Sequence, residues 1–143
     1  MFKKLISLAI GITVSMMSSI ATAKPLQAYP NAKAFADAYF EVWNQRNYAA
    51  ISEFYDADVV YRDLNLGTQT KGLNELERFI RKAVTDTPDL KFIALDAVKE
   101  GNQKLAIRWQ MTGTSEGKGF EIEGASIMRL RKGKVVFNSD YYK

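Results

Sequence analysis

Pro88 divides this chain into two kinds of structure. Upstream of it, apolar residues recur at helical spacing; downstream, four β-branched and aromatic runs follow one another with glycine-containing turns between them. A proline lacks the backbone N–H and clashes with the turn before it, so a helical pattern cannot run through this position. The first helix is expected over "AKAFADAYFEVWNQRN", capped by Asn31, with Phe35, Tyr39, Val42 and Trp43 as one stripe. A short second helix, "YAAISEFY", buries Ile51, Phe54 and Tyr55. "ADVVYRD" then reads as a strand in which Val59, Tyr61 and Asp63 share a face, and "LNLGTQTKG" as a loop. The third helix, "LNELERFIRKAVTD" from near Leu73 and stopped ahead of Pro88, turns Leu73, Leu76, Phe79, Ile80, Ala83 and Val84 to one side. The strand runs "LKFIALDAV", "KLAIRWQMTGT", "FEIEGASIMRL" and "VVFNSDYYK" follow in hairpin succession. Helices collected before a run of adjacent strands predict an α+β fold, with the helices packed on one face of an antiparallel sheet. Gly113, Gly119 and Gly124 are the positions expected to bend that sheet.

The first residues stand apart from this pattern. Lys3 and Lys4 precede an apolar stretch, and Ala21-Thr22-Ala23 supplies a small-residue cleavage site, the layout of a secretory signal peptide over residues 1–23. The apolar run falls short of the roughly 20 residues a spanning helix needs. The mature chain is therefore expected to start at Lys24, to be periplasmic or secreted, and to have no membrane attachment once the leader is gone. Residues 24–143 suit one domain.

Composition narrows the chemistry. The sequence has no cysteine and no histidine, which excludes disulfides, thiolate metal sites, the usual zinc ligands and the Ser-His nucleophile pair. No metal and no cofactor is expected. "DADVVYRD" lacks calcium-loop spacing, and "GTSEGKG" lacks the ending of a phosphate loop. The dense basic stretch "RLRKGK" brackets Gly133 between two strand patterns, so it reads as a solvated turn and not as a nucleic-acid surface. Acid–base work falls to carboxylates, tyrosines, lysines and arginines.

Three strands and the first helix carry the candidates. Along the last one, Val136, Asn138, Asp140 and Tyr142 alternate onto one face, which either meets solvent or forms a pocket wall. On "KLAIRWQMTGT", Leu105, Ile107, Trp109 and Met111 form an apolar face, with Arg108, Gln110 and Thr112 opposite. A carboxylate facing the apolar side loses solvation, its pKa rises, and it becomes suited to proton transfer. Asp63 reads either as a second pocket acid or as a cap on the loop after it. Trp43 and Trp109 read as packing residues or as the wall of a ligand cavity, and Tyr61 and Tyr142 as core or site phenols.

The stretches "YFEVWNQRNYAAISEFYDADVVYRD", "TKGLNELERFI" and "GASIMRLRKGKVVFNSDYYK" resemble the SnoaL-like branch of the nuclear transport factor 2-like superfamily, across essentially the whole mature chain. The resemblance implies a cone: a strongly curved antiparallel sheet closed by helices around an apolar cavity. Its members include polyketide cyclases, ketosteroid isomerases, limonene-epoxide hydrolases and ligand-binding proteins without catalysis. "SDYYK" is similar to the ending that carries the epoxide hydrolases' catalytic acid, which places Asp140 on that role. Tyr61 matches their Tyr-x-Asn stretch, with Asp63 in place of the asparagine. Their Arg-x-Asp pair falls on Ile107 and Trp109, or on Arg108 and Gln110 one residue later, so the epoxide-opening set is incomplete. The implied site has Asp140, Asp63 and Tyr61 as catalytic candidates and Trp43, Trp109, Asn138 and Tyr142 as ligand contacts. A small hydrophobic molecule is the expected ligand, and either a lyase or isomerase or a non-catalytic binding or interaction domain fits. Relatives commonly pair across the outer sheet face, which implies a homodimer.

Two outcomes follow. Expressed in a bacterium with a periplasm, the exported protein should begin at Lys24 by N-terminal sequencing; Met1 retained on membrane-bound material would contradict this. Sedimentation at micromolar concentration should give a dimer, and a monomer alone would overturn the pairing.

Overall fold

The computed structural model describes residues 24–143, so the leader read at residues 1–23 lies outside the described residues. A 3-10 turn (Leu26–Ala28) leads into α1 (Ala32–Asn44), whose first turn is closed by Asn31 Oδ1 accepting from the Ala34 N–H at 2.8 Å. α2 (Tyr48–Glu53) is short. β1 (Tyr55–Asp63), β2 (Thr68–Lys71) and α3 (Gly72–Asp86) follow, then β3 (Lys91–Glu100), β4 (Lys104–Ser115), β5 (Lys118–Arg131) and β6 (Lys134–Tyr142). The α+β reading holds: an open, curved six-stranded sheet carries three helices. α1 packs on β3 and α3 on β1, which puts the core between them and the concave face.

Strand order is β2-β1-β6-β5-β4-β3, and here the expectations need correction. β6 returns beside β1 in parallel, so the sheet is not wholly antiparallel. A parallel pair needs a long crossover, and the whole of β2, α3 and the β3–β5 meander supplies it. Part of the expected loop, Thr68–Lys71, is an edge strand paired antiparallel with β1, reached through a turn with Gly67 at φ 63°. Tyr55, expected on the second helix, instead opens β1.

A bulge sets the register of the closing hairpin. Arg131 faces Lys134 across Lys132-Gly133, both at positive φ, and Leu130 faces Val135; one step later Arg129 faces Phe137. Val136 is the extra residue. Val135 therefore joins the core at 0% exposure, while Val136, read on one face with Asn138 and Asp140, is only half-buried where those two are buried. Phe137 turns outward under the Arg129 guanidinium, 4.7 Å from the ring centre.

β4 and β5 pair without interruption from Lys104↔Arg129 to Ser115↔Lys118, so their glycines are not bulges. Gly124 has a different reason. It lies opposite Trp109, and a Cβ there would collide with the indole. The missing side chain lets Trp109 lie across β5. That position is what aims its ring N–H at the next inward residue, Ser126.

Candidate functional site

The β5–β6 register brings Ser126 directly opposite Asp140, and the parallel β1–β6 pairing brings Asp63 beside it. Asp140 is 7% exposed, so its oxygens need partners within the protein. Ser126 Oγ donates to Oδ1 at 2.6 Å, and Asn138 Nδ2 donates to the same oxygen at 2.8 Å. The Tyr61 hydroxyl donates to Oδ2. Trp109 Nε1 donates to Ser126 Oγ at 2.9 Å, so the serine proton is directed onto Asp140. A carboxylate oxygen accepts about two hydrogen bonds. Oδ1 is filled, whereas Oδ2 retains room for one more proton donor.

Asp63, 6% exposed, resolves its two readings by doing both things. Its Oδ1 accepts from the Leu66 N–H at 2.9 Å, closing the turn after β1, and its Oδ2 accepts from the Tyr142 hydroxyl at 2.9 Å while the residue lines the cavity. A second phenol pair, Tyr39 with Tyr55, is buried on the helix side. The Trp43 indole N–H lies near that pair without reaching hydrogen-bond geometry.

Burial raises the Asp140 pKa above the ordinary carboxyl value; the Ser126, Tyr61 and Asn138 hydrogen bonds oppose the shift, and the Asp63 charge adds to it. Burial also pushes Tyr61 well up, with the Asp140 charge next in size. Tyr142 moves up for the same first reason, reinforced by its bond to Asp63. Both phenols therefore keep their protons and serve as donors.

These groups line one cavity of about 210 Å³. That is larger than the ~150 Å³ apolar void that admits benzene and smaller than the ~300 Å³ lower end of drug-sized pockets. Asp140, Asp63, Tyr61, Trp43, Trp109 and Tyr142 all reach it. Asn138 does not: it is fully buried behind Asp140, its Oδ1 unpartnered, and it acts through the carboxylate instead of touching a ligand. Sequence reasoning missed Ser126 and the wall rings Phe40, Phe92 and Phe120, and read Phe79 only as part of the inward stripe of the third helix. Counting back from the Lys132-Gly133 turn pairs Asp140 with Ala125; only the bulge moves its partner to Ser126. On β4, Ile107 and Trp109 face the core as expected, and Arg108 faces out toward Glu123 at 3.3 Å.

The SnoaL-like domain model matches residues 36–138, more than half of the chain, and the protein belongs to that family. No curated protein matches the sequence. Solved structures share the fold at low identity. A hypothetical protein of ketosteroid isomerase-like fold from Catenulispora acidiphila, solved with trimethylamine, is 20% identical over 73% of this chain and 82% of that one, with a TM-score of 0.69. A candidate SnoaL-like polyketide cyclase from Shewanella putrefaciens is 14% identical over 75% and 85%, with a TM-score of 0.65. A nuclear transport factor 2-like protein of unknown function from Exiguobacterium is 23% identical over 73% and 94%, with a TM-score of 0.64.

The raised Asp140 pKa has a consequence for stability. At low pH both folded and unfolded chains hold the proton. As pH climbs from the unfolded value to the folded one, only the unfolded chain releases it, so this group's contribution to stability falls. Asp140→Asn cannot ionise, and its amide oxygen can still accept from Ser126 and Asn138. Its stability relative to wild type should therefore improve between about pH 3 and about pH 7. Urea denaturation at both values measures this; a difference that does not change with pH would contradict it.

Proposed function

We propose that this chain is an exported small-molecule-binding domain whose cavity takes a compact hydrophobic ligand and whose Asp140 performs proton transfer on it. The carrying observation is a desolvated carboxylate, fixed by three donors, with one acceptor position left on Oδ2 at an aromatic cavity. Export rests on the leader pattern at residues 1–23, and no helix among the described residues is long and apolar enough to cross a membrane. A second copy is proposed over the outer sheet face, where Val98, Ile127 and Tyr141 are exposed.

The reaction this arrangement supports is abstraction of an acidic C–H proton α to a carbonyl. Asp140 Oδ2 takes the proton and the electron pair moves to the carbonyl oxygen as an enolate. Tyr61 is not a free enolate donor at the outset, because its hydroxyl is bound to Asp140. Protonating Asp140 weakens that acceptor and releases the Tyr61 hydroxyl to turn toward the new oxyanion. Asp63 accepts both of its hydrogen bonds, so it sets Tyr142 and the loop in place. A second reading, binding without turnover, draws support from Tyr61, Tyr142, Ser126 and Trp109 each already donating within the protein.

A panel of one- and two-ring ketones, incubated with the protein in D2O, tests the first reading. Saturable quenching of tryptophan fluorescence should accompany faster α-deuteration by NMR. Asp140→Asn should slow the exchange by about 100-fold or more while the ligand still binds. Binding without accelerated exchange would leave the non-catalytic reading, and no binding by any member of the panel would overturn proton transfer on a neutral ketone.

A further inference from the structure

The cavity is charged in one sense only. Among the described residues its lining carries three carboxylates, Asp63, Asp86 and Asp140, and no lysine or arginine. This is not a compositional effect, since the chain holds 20 basic against 16 acidic side chains. Asp86, at the end of α3, is already paired with Lys82 at 2.5 Å. Asp63 and Asp140 have only hydroxyl and N–H partners. The same lining carries nine aromatic rings. They do not form a slab: Trp43 meets Phe92 at 70°, Phe92 meets Trp109 at 81°, and Trp109 meets Tyr142 at 57°. Walls of different orientation enclose one space.

Each feature points the same way. Anions are repelled by two carboxylates without counter-charge, and a neutral hydrocarbon makes no use of them. Ring faces carry the negative end of the aromatic quadrupole and attract cations, most strongly on tryptophan. Alkylated ammonium ions suit such a box best, because their methyl groups are weakly hydrated and pack on the rings. We propose that the cavity binds a small tertiary or quaternary alkylammonium compound, its charged centre toward Asp63 and Asp140 and its alkyl groups against the aromatic walls. This rests on the cavity being the ligand site, and narrows the compact hydrophobic ligand to one that carries a positive centre.

Binding is then coupled to Asp140. The groups facing it are Tyr39 from α1, Tyr61 and Asp63 from β1, Trp109 from β4, Ser126 from β5, and Asn138 and Tyr142 from β6, with Asp86 at the end of α3 as the other lining acid. None supplies a cation. A bound ammonium ion favours the ionised carboxylate that burial disfavours, so cation affinity rises with pH through the Asp140 titration.

Choline and its neutral isostere 3,3-dimethylbutan-1-ol, titrated calorimetrically into the wild-type protein, test this directly. Choline should bind at least about tenfold more tightly than the isostere. Its affinity should rise with pH while that of the isostere stays level, and Asp140→Asn should weaken choline binding by about tenfold. An isostere that binds as tightly as choline, or ketones that bind where choline does not, would overturn the cationic ligand and leave the cavity as a site for neutral molecules. If choline, isostere and ketones all fail to bind, the cavity is not the ligand site and both readings fall.

Discussion

A carboxylate held away from water has to be met by donors, and in this protein that requirement organises the sheet around Asp140. Its three hydrogen bonds come from two neighbouring strands and its own: Tyr61 on β1, Ser126 on β5 and Asn138 two residues back on β6. None of the contacts between strands survives a one-residue slip, because a slip exchanges the faces of a strand. The parallel closure of β6 on β1 and the bulge at Val136 are therefore conditions of the site as well as of the fold. Trp109 extends the same network outward, since Gly124 leaves it room to lie flat and donate to Ser126.

The balance of forces at this carboxylate supports the proton transfer proposed for it. Burial alone would leave an acid that resists ionisation. Three donors restore part of the charged form's stability, yet the pKa remains raised. A base in that condition holds a proton more readily than an exposed aspartate and still releases it, which suits transfer in a chain that has no histidine. Two acids sharing an apolar site can take different roles when their surroundings differ. Asp63 is the second acid here, and its bonds to Leu66 and Tyr142 commit it to holding the site in shape.

Much of this was legible in the sequence. Helical spacing identified the stripes of α1 and α3, the glycine-containing turns separated β3 to β6, and alternation on β4 placed Trp109 inside and Arg108 outside. The resemblance carried by three stretches across the mature chain implied the cone and drew attention to Asp140. What stayed hidden depends on pairing at long range. Nothing local in Thr68–Lys71 marks an edge strand, and a parallel partner for β1 lies more than seventy residues away in sequence. The bulge hid two facts at once: that Val135, not Val136, belongs to the core, and that Ser126 is the partner of Asp140. Asn138 was placed on the correct face but given a ligand to touch, when its neighbour's carboxylate takes its only bonded N–H.

The site, its contribution to stability and the proposed ligand preference all depend on Asp140 being a desolvated acid held by neutral donors. Following its side-chain carboxyl carbon by NMR through a pH titration reads that state without any ligand. The midpoint is expected above the ordinary aspartate value of 3.8. A midpoint at or below that value would mean a solvated or ion-paired group, and would contradict the desolvated state.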